Sequence, residues 1–400
     1  MPLKTRQTSM EATGESPRHP SPAIPMIELL TRQVLERARL AVIYGGDKST
    51  DGAVLRPRGN PRSWKSYEAV ARDIANALGR IGAGHVEVIP DDMRLADRLK
   101  DSRIDMAWLN TGGVQGHSAI SHAPAMLELL GIPYVGHDPL TAAILDNKFV
   151  FKRQMHAMGL PTAPFIVWRD GRVDPTASTA FARIFKEWKG AYIVKPISGR
   201  ASLNVHYVEH TTKIAAATRE VIEITNNPVL IEAYLPGREY CIAVSGPIIS
   251  RGNRLVDLDT PFTFAAIERV LSPDERIFTS MDHKPITHDR IRALDSATDA
   301  YEIDTLEELA SRLYLEFPLR TLVRLDVRAD RNGRLFILEA NPKPDLKAAE
   351  GKSTSLIGAG LANYGMTYDD LIFAIFANRS AELLGGEESI TDTLLQLIGH

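Results

Sequence analysis

Two carboxylates and an amide on a predicted β-hairpin carry the clearest chemical signal in this chain. Alternating apolar and polar residues flank Asn332-Gly333, which tolerates positive φ at both positions and predicts a two-residue turn. Such a turn places Asp326 opposite Glu339 and Arg324 opposite Asn341 on one face of the hairpin. The other face then pairs apolar residues only: Leu325 with Ala340, Val327 with Leu338, and Ala329 with Phe336.

The opposed carboxylates predict a divalent-metal site. Two carboxylates that face each other across strands repel and destabilise a sheet, and a cation between them reverses that effect. Asp326, Glu339 and Asn341 offer a metal only oxygen ligands, which suit Mg²⁺ or Mn²⁺. Two alternatives stay open: a solvated sheet face that carries these charges by chance, and a three-residue turn that shifts the pairing.

Lysines and glutamates upstream of the hairpin could bind a nucleotide. Lys195 ends a buried strand just before a small-residue loop, where a point charge beside backbone N–H groups suits phosphate. Lys148 comes early in a predicted helix, beside Asp146-Asn147. Glu232 and Glu239 flank a strand–turn–strand, where a carboxylate could accept a hydrogen bond from an adenine amino group or a ribose hydroxyl. Taken singly, each of these residues could be an ordinary surface charge.

The surrounding elements predict an α/β fold. Strands alternate with helices from residue 39 to residue 135, which predicts a parallel sheet with helices on both faces. A helix over 138–158 then precedes strands that include 192–196, 228–235 and 239–244. The predicted division is a disordered leader (1–36), a substrate-binding domain (37–137), a central subdomain (138–226), a C-terminal domain (227–384) and a tail (385–400).

Bulk composition is that of a globular protein of more than one domain. The chain has 400 residues, 44% of them hydrophobic and 24% charged, with a net charge of -3. These values give no sign of a nucleic-acid or membrane surface, and no apolar run reaches the ~18 residues of a membrane span. Cys241 lies in an apolar run and reads as a core residue; a single cysteine excludes an intrachain disulfide, which fits a reducing cytoplasm. The polar, Pro-rich N-terminus lacks the apolar segment of a signal peptide.

Taken in order along the chain, the candidate residues resemble the ATP-grasp superfamily, and within it the D-alanine–D-alanine ligases. The resemblance covers about residues 39–380. The stretches that carry it are Leu129-Leu-Gly-Ile-Pro-Tyr-Val-Gly136, Gly159-Leu-Pro-Thr-Ala-Pro-Phe165, Val194-Lys-Pro196, Ile231-Glu-Ala-Tyr-Leu-Pro-Gly-Arg-Glu239, Arg324-Leu-Asp326, Leu338-Glu-Ala-Asn341 and Gly365-Met-Thr-Tyr-Asp-Asp-Leu371.

The resemblance implies an ATP-grasp fold, with an N-terminal parallel-sheet domain, a central lid subdomain and a C-terminal antiparallel-sheet domain. It also implies a role for each candidate. The ATP phosphates would be held by Lys148 and Lys195, beneath a closing loop that includes Ser198, Gly199 and Ser202. The adenine hinge would be formed by Glu232, Ala233, Tyr234 and Leu235, and Glu239 would bind the ribose.

Two Mg²⁺ (or Mn²⁺) ions would be held by Asp326, Glu339 and Asn341, with Glu339 bridging them. The catalytic residues would be Arg324, Lys195 and Ser355, of which Ser355 would bind a substrate carboxylate.

The implied activity is that of an ATP-dependent carboxylate–amine ligase of cell-wall biogenesis, which forms a peptide bond through an acyl-phosphate. Its substrates would be small amino acids or carboxylates, with no nucleic-acid or membrane partner. The resemblance also implies a cytoplasmic enzyme and a homodimer formed through the first domain.

The chain departs from the family on the substrate side. Gly45-Gly46 is followed by Asp47-Lys-Ser-Thr-Asp51, so at best Asp51 replaces the glutamate that binds the ammonium of the first amino acid. Asn110-Thr-Gly-Gly113 stands where the family has a His-Gly pair. Asn341 is followed by Pro342-Lys-Pro-Asp345 and an apparent insertion at 346–352, in place of Thr-x-Pro-Gly. No tyrosine in 262–270 matches the active-site tyrosine of the family.

These departures leave three hypotheses open. The loops could have drifted while the enzyme kept D-alanine as its substrate. The protein could instead be an ATP-grasp ligase for a different amino acid or carboxylate pair. A third possibility is a catalytically silent regulator that binds nucleotides, although intact Asp326, Glu339 and Asn341 argue against it.

Overall fold

The computed structural model describes residues 24–46, 67–199, 202–272, 275–277, 288–349 and 355–385. Within these ranges the helices are α1 (Ile24–Arg37), α2 (Glu68–Arg80), α3 (Leu95–Asp101), α4 (His122–Leu130), α5 (Pro139–Asp146), α6 (Lys148–Ala157), α7 (Thr179–Ile184), α8 (Ile214–Thr225), α9 (Ala300–Glu316) and α10 (Tyr368–Gly385). The strands are β1 (Arg39–Tyr44), β2 (His85–Pro90), β3 (Met106–Asn110), β4 (Tyr134–Val135), β5 (Phe165–Trp168), β6 (Tyr192–Pro196), β7 (His206–Val208), β8 (Val229–Ala233), β9 (Glu239–Ser245), β10 (Ile248–Arg251), β11 (Arg254–Asp257), β12 (Phe262–Thr263), β13 (Ile267–Arg269), β14 (Ile291–Ala293), β15 (Val323–Ala329) and β16 (Leu335–Asn341).

The first domain is the predicted parallel sheet. Its strand order is β2-β1-β3-β4, and each neighbouring pair is parallel. The strands are apolar because helices cover both faces, with Ile43, Trp108 and Leu127 among the buried core residues. The carboxyl ends of all four strands meet at one edge, so the residues that follow them lie close together there.

The N-terminal part of the chain folds further upstream than the sequence predicts. The predicted leader extends to residue 36, but 24–37 forms helix α1, which buries Ile27, Val34 and Leu35. This helix packs against α10 and β11. The apolar residues recur at helical spacing and give α1 one buried face, so the leader boundary at 36 is wrong. Residues 1–23 lie outside the described ranges.

Segment 138–158 forms two helices instead of the single helix predicted. Asp138 and Pro139 begin the first helix as expected. The backbone of Asn147 is extended (φ -92°, ψ 99°), and its side chain accepts hydrogen bonds from the N–H groups of Phe149 and Val150. This is helix N-capping, which ends α5 and begins α6. Lys148 is therefore the first residue of a new helix.

The central sheet has the antiparallel order β5-β8-β6-β7. Helix α8 packs on β6 and buries Ile214 and Val221 against the apolar face of the sheet. Strand β8 pairs with both β5 and β6. A domain boundary at 226/227 would divide this sheet, because β8 follows it and pairs with strands that precede it.

The C-terminal sheet has the order β14-β13-β9-β15-β16, with β12 also paired to β9. Helix α9 covers one face and buries Leu306, Leu309 and Leu313 beneath it. The sequence does not predict strands β10 to β14. The final helix predicted within 359–377 is present, but it begins at Tyr368 and extends to Gly385. Cys241 is buried in this sheet, as expected.

The hairpin of β15 and β16 has the predicted pairing at its functional end but not near its turn. Asp326 faces Glu339, Arg324 faces Asn341 and Leu325 faces Ala340, as predicted. Val327 faces Ile337 and Ala329 faces Leu335, so the predicted partners Leu338 and Phe336 are wrong.

A wider turn and a bulge explain this difference. Asp330 N–H donates to the Arg334 carbonyl, which leaves three residues in the turn, the last being Gly333 at φ 81°. That turn shifts the register by one residue. A β-bulge between Asp326 and Val327 passes over Leu338 and shifts it back.

The described ranges contain no helix that is long and apolar enough to cross a membrane. The longest C-terminal helix, α10, is instead buried between the domains. It packs against β10, α1, α2 and β4. Arg379 of this helix is fully buried, and its Nε donates to the carbonyl oxygen of Tyr134 at 2.9 Å. Helix α10 therefore fixes the first domain against the C-terminal domain.

Candidate active site

A deep cleft lies between the central and C-terminal sheets, and most of the predicted residues line it. It encloses about 770 Å³ together with its open mouth. We call it the first cleft. The predicted residues among its walls are Lys148, Lys195, Gly199, Ser202, Glu232, Ala233, Tyr234, Leu235, Glu239, Asp326 and Glu339. Residues from four separate stretches of the sequence therefore meet at one place.

Two lysines share one buried glutamate at the base of this cleft. Glu232 Oε1 lies 2.6 Å from Lys195 Nζ, and Glu232 Oε2 lies 2.9 Å from Lys152 Nζ. Lys152 also donates to Thr162 Oγ1 at 2.5 Å. Burial alone would raise the pKa of Glu232, but the two lysines outweigh it and lower this pKa to about 2. Glu232 therefore stays ionised between the two lysines.

The same group holds Lys195 in its charged form. Burial by itself would lower the pKa of Lys195, but attraction to Glu232 and Glu339 outweighs burial and raises it. Burial does lower the pKa of Lys152, which is fully enclosed and also lies near the positive charge of Lys195. Lys152 was not predicted. It lies four residues after Lys148, and residues at that spacing share one face of a helix, which is the signal that could have found it.

Lys148 joins the phosphate loop to the hairpin. Its Nζ donates to the Gly199 carbonyl at 2.9 Å and lies 3.3 Å from Glu339 Oε2. Its backbone N–H donates to the Ile197 carbonyl at 2.8 Å. Lys148 therefore contacts both predicted parts of the site, the small-residue loop and the carboxylate face.

The carboxylate face carries cations of its own. Arg324 Nε and Arg269 Nη2 each lie 2.9 Å from Asp326 Oδ1. Asn341 Nδ2 lies 3.4 Å from Asp326 Oδ2. Burial alone would raise the pKa of Asp326, but Arg269 and Arg324 reverse this and lower it, so the carboxylate stays ionised.

Glu239 is held by two arginines that sequence reasoning missed. Arg269 Nη1 donates to its Oε1 and Arg328 Nη1 to its Oε2, both at 3.1 Å. Arg328 also donates to the Tyr234 hydroxyl and lies over the Tyr234 ring, 4.8 Å from its centroid. Arg328 follows Asp326 by two residues, and this period-two spacing on a strand could have placed it on the site face.

The donor set fits a hard divalent cation. Asp326 and Glu339 are directly opposed, and Asn341 adds an amide oxygen from the same end of β16. Carboxylate and amide oxygens are the ligands that Mg²⁺ prefers. Within the described ranges no group of three or more His, Cys, Asp or Glu residues is placed to hold a metal. The fit therefore depends on this pair of carboxylates together with the asparagine.

Four predicted residues are not among the walls of the first cleft: Arg324 and Asn341, which contact Asp326, and Ser198 and Ser355. Ser198 donates from Oγ to Asn227 Oδ1 at 3.0 Å. Ser355 is buried, and its Oγ accepts a hydrogen bond from the Gly358 N–H at 2.9 Å. Asp51 falls on residues that the structure does not describe. The roles implied for Ser198 and Ser355 stay predictions.

A second cleft begins where β16 ends. It encloses about 590 Å³ with its mouth, between the carboxyl edge of the first domain and the segment after Asn341. Its polar residues are Asn110, Thr111, His137, Thr321 and Lys343, and its other walls are apolar, among them Trp108, Ile120, Leu322, Leu346 and Ile375. Lys343 Nζ lies 3.5 Å from Asn110 Oδ1 and 3.9 Å from the centroid of the Tyr67 ring.

Comparison with known proteins agrees with this architecture. A family model described as the D-ala D-ala ligase C-terminus matches residues 154–377, more than half of the chain. D-alanine–D-alanine ligase B of Pseudomonas putida is 29% identical over 353 residues, which cover 88% of this chain and 96% of that protein.

Solved structures show the same fold. D-alanyl-alanine synthetase A of Vibrio cholerae has a TM-score of 0.62 at 18% identity, covering 86% of this chain and 99% of its own. The D-alanine–D-alanine ligase of Bacillus anthracis complexed with ATP has a TM-score of 0.59 at 17% identity, covering 88% and 99%. The ATP-grasp fold implied by the sequence is therefore confirmed. The chain belongs to the D-alanine–D-alanine ligase family and is an ATP-dependent ligase.

Proposed function

We propose that this protein binds Mg·ATP in the first cleft and uses it to join the carboxylate of one amino acid to the amine of another. The observation that carries the proposal is the convergence of Lys148, Lys195 and the opposed pair Asp326 and Glu339 on one cleft. Lysines placed to neutralise phosphate beside oxygen ligands for a metal are what phosphoryl transfer needs.

The proposed nucleotide contacts follow from the walls of the cleft. Lys148 and Lys195 bind phosphates, with the segment around Gly199 and Ser202 over them. The stretch from Glu232 to Leu235 contacts adenine through its backbone, because the Glu232 side chain is already held by two lysines. Glu239 binds the ribose, and Arg269 and Arg328 hold its carboxylate in place.

Asp326, Glu339 and Asn341 would hold the divalent ions, which neutralise charge on the phosphates when bound. Arg324 lies beside Asp326 on the same face, where its guanidinium can stabilise negative charge that develops on the transferred phosphoryl or on the acyl carbon's oxygen.

The proposed reaction has two steps. An oxygen of the donor carboxylate attacks the γ-phosphorus of ATP, and the bond from that phosphorus to the ADP oxygen breaks, which leaves an acyl-phosphate and ADP. The deprotonated amine of the acceptor then attacks the acyl carbon. The bond from that carbon to the phosphate oxygen breaks, which releases inorganic phosphate and the amide. Phosphorylation is needed because a free carboxylate would have to expel oxide.

The substrates of the relatives are D-alanine, and D-alanine is one candidate here. A different pair is the second candidate, because the second cleft is mainly apolar and carries Lys343, which lies in the altered segment after Asn341. A silent regulator is the weakest reading, since the first cleft keeps both carboxylates and both lysines. A cytoplasmic location and a homodimer remain parts of the proposal.

Phosphate release tests the proposal. Purified protein with Mg·ATP is assayed against D- and L-amino acids, singly and in pairs, with mass spectrometry of the products. A D-alanyl-D-alanine product supports the first candidate, and another dipeptide supports the second. ATP binding by calorimetry without phosphate release for any pair contradicts the ligase proposal.

A further inference from the structure

Arg269 joins two carboxylates that the proposed function assigns to different parts of the bound nucleotide. Its Nη1 donates to Glu239 Oε1 at 3.1 Å, and its Nη2 donates to Asp326 Oδ1 at 2.9 Å. Glu239 is the proposed ribose ligand, and Asp326 is a proposed ligand of the divalent ion. One guanidinium among the walls of the first cleft therefore contacts both the ribose end and the metal end of the site.

The strand pairing brings these three side chains together. Arg269 on β13 is paired with Glu239 on β9, and β9 in turn pairs with β15, which carries Asp326. Glu239 faces Arg328 in that second pairing, so Asp326 is its diagonal neighbour, at roughly 7–8 Å. Both carboxylates are buried, and like charges this close repel each other unless a cation lies between them. Arg269 supplies that cation from the adjacent strand.

The charge of Arg269 is permanent at physiological pH. A guanidinium does not lose its proton in proteins. Burial would lower the pKa of Arg269, but attraction to neighbouring groups, above all Asp326, outweighs burial and raises it. The side chain is therefore a fixed positive charge beside the metal carboxylate.

A divalent ion must compete with Arg269 for the carboxylate of Asp326. Its Oδ1 accepts hydrogen bonds from Arg269 Nη2 and from Arg324 Nε, each at 2.9 Å. A positive side chain at this distance repels a cation and uses acceptor capacity that a metal needs. Arg269 also contacts Glu239, which is not a proposed metal ligand. It can therefore move away from Asp326 and keep a carboxylate partner.

We propose that Arg269 is a positioning residue, the counter-ion of Asp326 in the nucleotide-free protein, and that it makes binding of the divalent ion depend on the nucleotide. The phosphates of ATP add oxygen ligands and negative charge, which offset the repulsion between Arg269 and the ion. The ion then binds together with the nucleotide instead of alone. This inference deepens the proposed function and rests on its assignment of Asp326 to the metal.

Titration of the nucleotide-free full chain with Mn²⁺ tests the proposal, with the unbound ion measured by electron paramagnetic resonance. Arg269→Met should bind Mn²⁺ at least ~5-fold more tightly than the unchanged protein, because it removes a positive charge from beside Asp326. Loss of packing alone would weaken binding, so the direction of the change separates the proposed role from a structural one. Adenosine, which has no phosphates, should bind no more tightly to this variant by calorimetry.

The same titration in the presence of a non-hydrolysable ATP analogue measures the dependence on nucleotide. The factor by which the analogue raises Mn²⁺ affinity should be smaller in Arg269→Met than in the unchanged protein, because the charge that the phosphates offset is absent. The analogue also binds Mn²⁺ in solution, so the comparison is made between the two proteins at one concentration of the analogue.

Matched variants locate the effect. Arg269→Lys keeps the charge and should keep the Mn²⁺ affinity of the unchanged protein. Arg269→Gln removes the charge but keeps a hydrogen-bond donor; it should show the same gain as Arg269→Met and serves as the test if the methionine variant does not fold. Asp326→Asn in the Arg269→Met protein should abolish the gain. Arg292→Met removes an ion-paired arginine of the same sheet outside the walls of the first cleft and should change nothing.

The proposal is overturned if neither Arg269→Met nor Arg269→Gln gains Mn²⁺ affinity, or if the gain also appears in Arg269→Lys, survives Asp326→Asn or extends to adenosine. Binding of the ATP analogue with Mg²⁺ by the unchanged protein tests the proposed function separately. If the analogue binds and no variant gains Mn²⁺ affinity, the further inference alone fails. If the analogue does not bind and the gain depends on Asp326, the proposed nucleotide site fails and the counter-ion role of Arg269 stands.

Discussion

The two clefts of this molecule are built from opposite kinds of residue. The first concentrates lysines, arginines and carboxylates that neutralise one another, as in Glu232 between Lys152 and Lys195. The second is apolar, with Lys343 at its wall. Charges that must be buried need partners at fixed places, so the first cleft depends on many residues at once. An apolar pocket depends on volume and shape, and its residues can be exchanged more freely.

The largest expected effect concerns the carboxylate face of the first cleft. Glu339→Gln should lower turnover by about 1,000-fold, because preorganised charge at a phosphoryl-transfer site contributes several kcal/mol. Steady-state phosphate release with the best substrate pair measures this. Glu316→Gln on an exposed part of α9 is the control. Turnover within ~10-fold of the unchanged protein would show that Glu339 does not hold the metal.

The buried ion group predicts an effect on stability. Glu232→Gln leaves Lys152 and Lys195 together without their shared carboxylate, and breaking a buried ion pair costs about 3–5 kcal/mol. Denaturant unfolding measures the loss, with the exposed Glu187→Gln as control. Since the folded pKa of Glu232 is lowered to about 2, its contribution is present above about pH 4.5 and is lost as pH falls towards 2. A variant as stable as the unchanged protein at neutral pH would contradict this account.

The pKa of a second buried carboxylate, Asp91, is shifted in the opposite direction from that of Glu232. Asp91 accepts a hydrogen bond from Thr111 Oγ1 at 2.6 Å, and burial raises its pKa to about 6. The folded state therefore favours the protonated form, and the protein should lose stability as pH rises from about 4 to about 6.

Asp91→Asn keeps an acceptor for Thr111 and removes the charge. We expect it to gain about 1–3 kcal/mol over the unchanged protein at about pH 8 and nothing at about pH 4. Thermal unfolding across this range measures the difference. A loss of stability at the higher pH would mean that ionised Asp91 has a favourable partner.

The smallest expected effect lies at the turn between β15 and β16, the strands that carry Asp326 and Glu339. Gly333 has φ 81°, and a Cβ there would meet no neighbouring atom. Gly333→Ala should therefore cost about 1–2 kcal/mol through backbone strain alone. Gly333→Asn should cost less, because asparagine tolerates this conformation. Equal stability of all three proteins, measured by denaturant unfolding, would show that the turn does not hold this geometry in solution.

Most residues of the first cleft could be predicted from the sequence, because their order along the chain and their places on predicted strands resemble those of a known family. Even so, the pairing of Asp326 with Glu339 was predicted from a two-residue turn that the protein does not have. The three-residue turn and the bulge at Leu338 cancel, and a bulge leaves no pattern in side-chain alternation. Lys152 and Arg269 were missed because a buried charge looks, in sequence, like a solvated one.

The second cleft could not be predicted, for a different reason. Its walls come from the first domain, from residues 321–322, from the segment after Asn341 and from α10. No single stretch carries a periodic or ordered signal for it. Lys343 was visible only as a departure from the family pattern, and its place beside Asn110 follows from how the domains pack.

The end of β16 leads directly from one cleft to the other, and this sets a length scale for inhibitors. Glu339 and Lys343 are four residues apart, so their backbones lie at most ~14 Å from each other. A single small molecule with an anionic end for the lysines of the first cleft and an apolar end for the walls of the second could span that distance. The length of the linker that binds most tightly would then measure the distance between the two clefts.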